Sequence, residues 1–586
     1  MSEAARRFEA VTDPAAPHEI VLGRGGSAGA WCAVLLDDRG AEVAREDLAE
    51  TSLPAFISER ERTARPRWVV RSLREVYPPL LAEGVRIRRA HDLLLCHAIL
   101  RDTAGLAAPI PASARWLRVD PMSIPVKMPA LFSLHDVSAS ADPDRPDEIE
   151  ELLAEHSRQR EALERAPDGR LALLCAAEST GALIAEEMTA AGLPWSTAVH
   201  QRLLVEALGP RPAAGGRPIR MAELAATISE ALEDPSVNPD SPPRLLKSLR
   251  RAGIVVDSTS RWELREIEHP VVEPLLAYKK LARLFAANGW GWLAEWVHDE
   301  RFRPIYLTGG VVTGRWASSG GGALQIPRSL RPAVRADDGW ALVCADVAQL
   351  EPRVLAAMSR DGAMAGAARG ADLYQGVVRS GAVQTREEAK YAVLGAMYGA
   401  TTGPSGMLGP RLRSVFPRAM ALVDGAAKTG EDGGVVSTLL GRSSPRPDAA
   451  WTTAQSRASD PEADGSDERF ARSRARDRGR FTRNFVVQGT AAEWSLLWLA
   501  EIRHRLSALP EAKVPAEASG PVFARRAHLA FFLHDEVIVH TPAELAEDAA
   551  SAVQDAADAA TRRLFPGFEI DIPLDLRIAE DAGKSS

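Results

Sequence analysis

Over roughly its first 180 residues the chain alternates short apolar runs with helical stretches. The runs IVLG, WCAVLLD and RWVV read as buried strands and LLLCHAILR as a helix, so this part is predicted to be an α/β domain. A loop rich in Pro, Asp and Ser, HDVSASADPDRPD, interrupts it. From about 180 to 300 the apolar period lengthens to that of helices, through LIAEEMTAAG, MAELAATISEALED, PRLLKSLRRAGI and VEPLLAYKKLARLFAANGWGWLAEWV. That predicts an elongated helical unit. Beyond residue 300 the pattern is mixed: a strand, WALVCADV, leads into a helix near Leu350. Towards the end HLAFFLHDEVIVHTP reads as a β-hairpin with His534, Asp535 and Glu536 at or near its turn. Residues 443–480 are polar and almost free of aliphatics, which predicts a flexible insertion.

Length and composition bound the answer. With 586 residues the chain should hold about three or four structural units. Hydrophobic residues at 46% and charged residues at 26% exclude a fibrous or wholly disordered protein. No apolar run approaches the roughly 20 residues that span a bilayer, and the opening MSEAARRFEAVTDPAAPHEI has no apolar signal core, so no membrane association and a cytoplasmic location are expected. The four cysteines, Cys32, Cys96, Cys175 and Cys344, are expected to be small buried hydrophobes. The net charge of −8 gives no support to a nucleic-acid partner. Of 71 basic residues 63 are arginine, a bias that reads more simply as coding preference than as phosphate binding.

Three patterns carry chemistry. Asp346 ends a strand, where an acid is more often a helix N-cap. The acids of His534-Asp535-Glu536 repel one another unless a cation compensates, and Asp346 with Asp535 could hold two Mg²⁺ ions for an in-line phosphoryl transfer. In TREEAKYAVLGAMYG, Thr385 and Glu388 form a capping box, so a helix should start at Arg386 and end at Gly399 about thirteen residues later. Arg386, Lys390 and Leu394 share one face of it, with Tyr398 following, as either a solvated stripe or a triphosphate-binding helix.

The ordered set TGRWAS (313–318), LQIPR (324–328), DVAQLEPRVLA (346–356), RxxxKxxxxxxxYG (386–399), RNFVVQGTAAE (483–493) and LHDEV (533–537) closely resembles the bacterial family A DNA polymerases, over residues 180 to 586. The resemblance implies a right-hand fold with a helical thumb, an α+β palm on an antiparallel sheet and helical fingers, extending a primer on a template. Asp346 and Asp535 would then bind the metal, two Mg²⁺ ions that Mn²⁺ could replace. Glu536 would be the acid near the primer end. Arg386 and Lys390 would contact the triphosphate, with Lys390 the proton donor to pyrophosphate. Glu351 would close off the sugar's 2′ side, Tyr398 would sit by the template base, and Gln349, Tyr374 and Leu394 would complete the dNTP site. Arg315, Arg328, Arg480, Asn484, Gln488 and His534 would contact primer–template DNA. Two positions depart from the family pattern: Leu394 stands where Phe or Tyr is usual, and Tyr374 where His is usual. The arginine-rich run DERFARSRARDRGRFTR is either an exposed ion-paired helix or, as the resemblance favours, a template-facing element.

The resemblance also implies an RNase H-like, 3′-to-5′ exonuclease-like domain at residues 1–178, followed by the thumb at 179–297, palm at 298–360, fingers at 361–482 and palm again at 483–586. Its chemistry reads as lost. No D-x-E occurs in the first 200 residues, Arg88 replaces Asn four residues before Asp92, and Cys175 and Ser179 stand where Tyr and Asp are usual. The expected function is a monomeric DNA polymerase using dNTPs in repair or gap filling without proofreading, with no protein partner indicated. The alternatives are an idle primer–template binding protein and a polymerase of relaxed sugar or template choice.

Overall fold

The computed structural model describes residues 18–25, 30–116, 148–213, 215–322, 326–370, 372–399 and 403–583. The interrupting loop HDVSASADPDRPD, Leu324 and Gln325 lie outside the described residues. The chain forms two compact units. The first comprises residues 1–191, 306–319 and 343–578, and the second residues 192–305, 320–342 and 579–586.

The first unit opens with strands β1 (Glu19–Arg24), β2 (Ala30–Leu36), β3 (Glu42–Ala49), β4 (Arg67–Val70) and β5 (Arg89–Asp92), in the sheet order β3-β2-β1-β4-β5. β2 runs antiparallel to its neighbours β1 and β3, whereas β4 pairs parallel with β1 and β5 parallel with β4. β1, β2 and β4 are the three apolar runs read as strands. β3, EVAREDLA, was not predicted: it is an edge strand whose charged side chains face water, which blunts pairing with other chains and hides the strand period. Helix α1 (Leu93–Asp102) follows β5 directly, then α2 (Glu148–Glu164) and α3 (Arg170–Ala191).

The same unit holds most of a second sheet of β6 (Trp340–Val347), β7 (His528–Leu533), β8 (Glu536–Pro542) and β9 (Leu574–Ala579), in the order β7-β8-β6-β9. Its helices include α4 (Leu350–Ser359), α5 (Leu373–Arg379), α6 (Arg386–Tyr398), α7 (Pro417–Glu431), α8 (Ala449–Ala458), α9 (Gly465–Leu506) and α10 (Ala546–Leu564). One apolar core joins Cys96, Leu174 and Met188 of the N-terminal part to Val343, Trp494 and Val539 of the second sheet and its helices. All four cysteines are buried and outside disulfides, as small hydrophobes should be.

The second unit packs helices Thr197–Leu208, Ile219–Ala231, Pro242–Arg251 and Val272–Asn288 around Leu204, Leu245, Leu249, Leu275 and Tyr278. That is the long helical period expected between 180 and 300. Among the described residues no helix is long and apolar enough to cross a membrane.

Two expectations are corrected. Residues 443–480, taken for a flexible insertion, contain α8 and the first third of α9, a helix of 42 residues. The absence of aliphatics reflects exposure. Asp464 closes a capping box at the start of α9, Asp448 caps α8, and Arg474 bridges to Asp448 at 3.3 Å. The boundaries placed after residues 178 and 482 both fall inside helices, α3 and α9, since apolar packing on both sides keeps each helix unbroken. The compact units part instead at Ala191 and Gly192.

Candidate active site

The site is built where β6 and β8 lie side by side. β6 ends just past Asp346, and β8 begins just after Asp535, so the pairing brings the two aspartates together. The register is tied by the Val347 N–H donating to the Asp535 carbonyl at 2.9 Å. The hairpin turn before β8 requires a left-handed residue, and His534 takes it at φ 57°. Burial, followed by the nearby Asp346 carboxylate, pushes the Asp535 carboxyl up to about 6. Asp346 is therefore not a helix cap. The N-cap of α4 is Gln349, at φ 51°.

Gln349 ties α4 to α5: its Oε1 accepts the Leu373 N–H at 2.9 Å. The fully buried Arg353 guanidinium fills the same corner, donating to the carbonyls of Ala348 at 2.8 Å, Asp571 at 2.7 Å and Gly370 at 2.8 Å. Sequence reasoning passed over Arg353. The signal was a lone cation inside the apolar helix LEPRVLA, which only a buried hydrogen-bonding role explains.

Glu351, at 9% exposure, is held from two sides. Arg315 donates to its Oε1, and the Tyr398 hydroxyl donates to Oε2 at 2.5 Å. Burial and this carboxylate together drive the Tyr398 phenol well above its usual range. A cavity of about 270 Å³ lies here, walled by Arg315, Glu351, Tyr374, Leu394 and Tyr398 with His534 and Asp535.

The capping box of Thr385 and Glu388 is formed, and α6 runs from Arg386 to Tyr398 before Gly399 closes it at φ 75°. Arg386 donates to Asp372 at 2.6 Å and lies over the Tyr374 ring, 5.6 Å from its centroid. Asp372 also caps α5, so this acid joins the two helices. Lys390 is exposed, and no described residue pairs with it.

On α9, Gln488 accepts the Thr313 hydroxyl at 2.9 Å, and the Asn484 Oδ1 is buried without a partner. Arg480 pairs with Asp477 and packs against Gly399, where a Cβ would come within 2.8 Å of its Cγ. Arg328 is in the second unit, opening a 3₁₀ turn over Arg328–Ala333, and is not among the residues that line the cavity. Glu536 begins β8.

The N-terminal part has a polar centre of its own. Asp92 caps α1, accepting the Leu95 N–H at 3.0 Å and the Leu73 N–H at 2.8 Å. Its own N–H donates to the Ser179 hydroxyl at 3.1 Å. From α2, Gln159 bonds His91 at 2.7 Å and donates to the Leu93 carbonyl at 2.9 Å, and Glu155 accepts from Gln159 at 2.7 Å.

Residues 219–407 match the sequence family described as DNA polymerase family A. The chain is 27% identical over 351 residues to the thermostable DNA polymerase I of Thermus filiformis, covering 55% of this chain and 37% of that protein. It is 27% identical over 357 residues to DNA polymerase I of Chloroflexus aurantiacus, covering 56% and 34%. The match thus spans little more than a third of these relatives' length. Among solved structures, the POL domain of Pol1 from M. smegmatis, in complex with DNA primer-template and dNTP, superposes with a TM-score of 0.65 at 17% identity. That likeness covers 98% of this chain and 96% of the other, and it establishes a shared fold.

Proposed function

We propose that this chain, a member of the bacterial family A DNA polymerases, adds deoxynucleotides to a primer 3′ end as a template directs. The observation that carries the reading is the pairing of β6 with β8, which brings Asp346 and Asp535 together beside a cavity walled by Arg315, Glu351, Tyr374 and Leu394. Both aspartates are hard oxygen donors; burial and then repulsion by Asp346 raise Asp535, and a divalent cation relieves that repulsion. They would hold Mg²⁺, two ions in this reading, or Mn²⁺ in its place, and the bound metal would stabilise charge on the attacking and leaving oxygens.

The primer 3′-hydroxyl gives its proton to solvent and its oxygen bonds to the α-phosphorus, as the bond from that phosphorus to the bridging oxygen breaks and pyrophosphate leaves. Arg386 and Lys390, on one face of α6, neutralise the triphosphate, and Lys390 gives its proton to the departing pyrophosphate. Gln349 and Tyr374 shape the dNTP site, Glu351 walls off the 2′ side of the sugar, and Tyr398 meets the template base. Glu536 and His534 attend the primer end. Arg315, Arg480, Asn484 and Gln488 contact primer–template DNA, as does Arg328, and residues 179–297 serve as thumb. Such contacts run largely to the backbone and are not sequence-reading. The protein acts as a monomer in the cytoplasm, in repair or gap filling.

The N-terminal domain is exonuclease-like in this reading, which its strand order and directions support. It lacks proofreading, because Asp92 is committed to two backbone N–H groups and its neighbour on α3 is Ser179. Extension of a gapped duplex with Mg²⁺ and dNTPs tests the polymerase. Tight primer–template binding with no extension in either metal would make the protein an idle binder instead. A 3′-mismatched strand tests the second half, and metal-dependent shortening by the repurified protein would overturn it.

A further inference from the structure

Helix α3 faces two ways. Ser179 turns to the N-terminal centre, while Glu178 turns to Arg442 and Gly181 to Trp316, which lines the cavity with Gly314 and Arg315. The Glu178 carboxylate, 1% exposed, accepts from Arg442 at 2.7 Å. The Arg442 guanidinium lies directly against Gly314, where a Cβ would come 2.6 Å from its Nε and 3.0 Å from its Cζ. Gly314 sits at φ 87°, so both its backbone conformation and its lack of a side chain are used. On the other side of Arg315, the Trp316 ring lies 3.3 Å from where a Cβ on Gly181 would be.

Arg442 is itself anchored. Its carbonyl accepts the Thr438 N–H at 2.9 Å, the Thr438 hydroxyl donates to Glu493 of α9, and the Leu440 N–H donates to Glu493 at 3.0 Å. Neither Glu178 nor Arg442 is among the residues that line the cavity. The Glu178 Oε1 and Arg442 Nε are buried without partners, so the pair is joined through a single hydrogen bond.

We propose that Glu178 and Arg442 are positioning residues for Arg315, so that the N-terminal domain holds the arginine that reaches Glu351 and through it Tyr398. The inference rests on the polymerase reading for its kinetic test. Removing the Glu178 charge takes from the buried guanidinium beneath Gly314 its hydrogen-bonded counter-ion and leaves it only Glu493, whose carboxyl burial pushes up to about 7, so the segment carrying Arg315 loses part of its support.

The test is single-nucleotide incorporation by the full chain, with Glu178→Gln, Glu178→Asp and Arg442→Lys, each also made with Arg315→Ala. Glu178→Gln should lower kcat/KM about tenfold, with primer–template affinity within about twofold of wild type, and Glu178→Asp should recover part of the loss. In the Arg315→Ala background Glu178→Gln should cost nothing more. Amide hydrogen exchange over residues 311–317 should quicken in Glu178→Gln and not in Glu178→Asp. If Glu178→Gln cannot be recovered folded, Arg442→Lys carries the same kinetic and exchange tests. A lowered Tm with unchanged kcat/KM, an equal penalty with and without Arg315, or unaltered exchange over 311–317 would each overturn the proposal. A wild-type chain that extends no primer would defeat the polymerase reading, while the exchange experiment would still read the brace.

Discussion

The first unit contains two polar centres at strand ends, and their aspartates are held differently. In the N-terminal centre Asp92 accepts two backbone N–H groups, and Gln159 and Glu155 enter from α2 to bond what lies around it. In the centre at β6 and β8, two carboxylates face one another beside an open cavity, and one is pushed up to about 6. A polar group satisfied by the protein contributes to folding, and one left in an unfavourable setting is available to a ligand. The two differ in what surrounds their aspartates: Asp92 is bonded by the backbone, with Glu186 nearby pushed up to about 7 chiefly by burial, whereas Asp535 lines the cavity.

The largest effect should come from breaking the second centre. Asp346→Asn or Asp535→Asn is expected to lower extension by about a thousandfold or more while primer–template binding, which rests on many phosphate contacts, stays largely intact. Near wild-type extension by either variant in single-turnover assays would erase the distinction between the centres.

The N-terminal part should respond in stability instead. Glu187 on α3 accepts from Arg503 of α9, from Arg86 and from the Tyr77 hydroxyl, all in the interior. Burial alone would raise this carboxyl, but Arg503 and Arg86 outweigh it and hold it down at about 2. Glu187→Gln leaves Arg503 buried without its charge partner and should cost about 3–5 kcal/mol, read by urea unfolding. A cost under about 1 kcal/mol would show the N-terminal part to be loosely attached.

A third comparison sharpens the contrast through pH. Since the Asp535 carboxyl is raised in the folded chain, the native state holds its proton more firmly than the unfolded state does. Its ionisation destabilises the fold as pH climbs from about 4 to about 6, and the penalty is complete above that. Asp535→Asn should therefore stabilise the metal-free protein by about 1–3 kcal/mol at pH 7 and by little at pH 4. Chemical denaturation in EDTA at both values checks this, and a destabilised variant at pH 7 would contradict it.

The smallest effects concern sugar choice. Glu351→Ala should weaken the preference for dNTP over rNTP by about tenfold, on the scale of one poorly satisfied buried hydroxyl. Leu394→Phe should change it less, because Leu394 forms one wall of the cavity whereas Glu351 is fixed by Arg315 and Tyr398. Matched single-nucleotide kinetics decide, and the reverse order would shift the gate to α6.

Most of the regular architecture was legible where local rules and burial agree. The strand ending at Asp346, the hairpin around His534 and the capping box at Thr385 each follow from apolar runs or from side chains that bond their own backbone. What escaped depended on solvent or on distant partners. β3 and the start of α9 are written in charged residues that need no apolar period, since water faces them. The pairing of Arg386 with Asp372, the burial of Arg353 and the seat of Arg442 under Gly314 depend on segments that only folding brings together. The motifs named the candidate residues, but the bonds among them could not be read from spacing.

The two-faced character of α3 bears on what a gene encoding this chain can shed. On one side of the helix Cys175 and Ser179 fill the interior, and a substitution there need disturb nothing on the other side. The helix itself is another matter, because a deletion that removed it would also take Glu178, Gly181 and Glu187 from beneath the neighbouring part of the molecule. Side chains on one face can then be exchanged while the helix stays in the reading frame, retained for what it supports on the other.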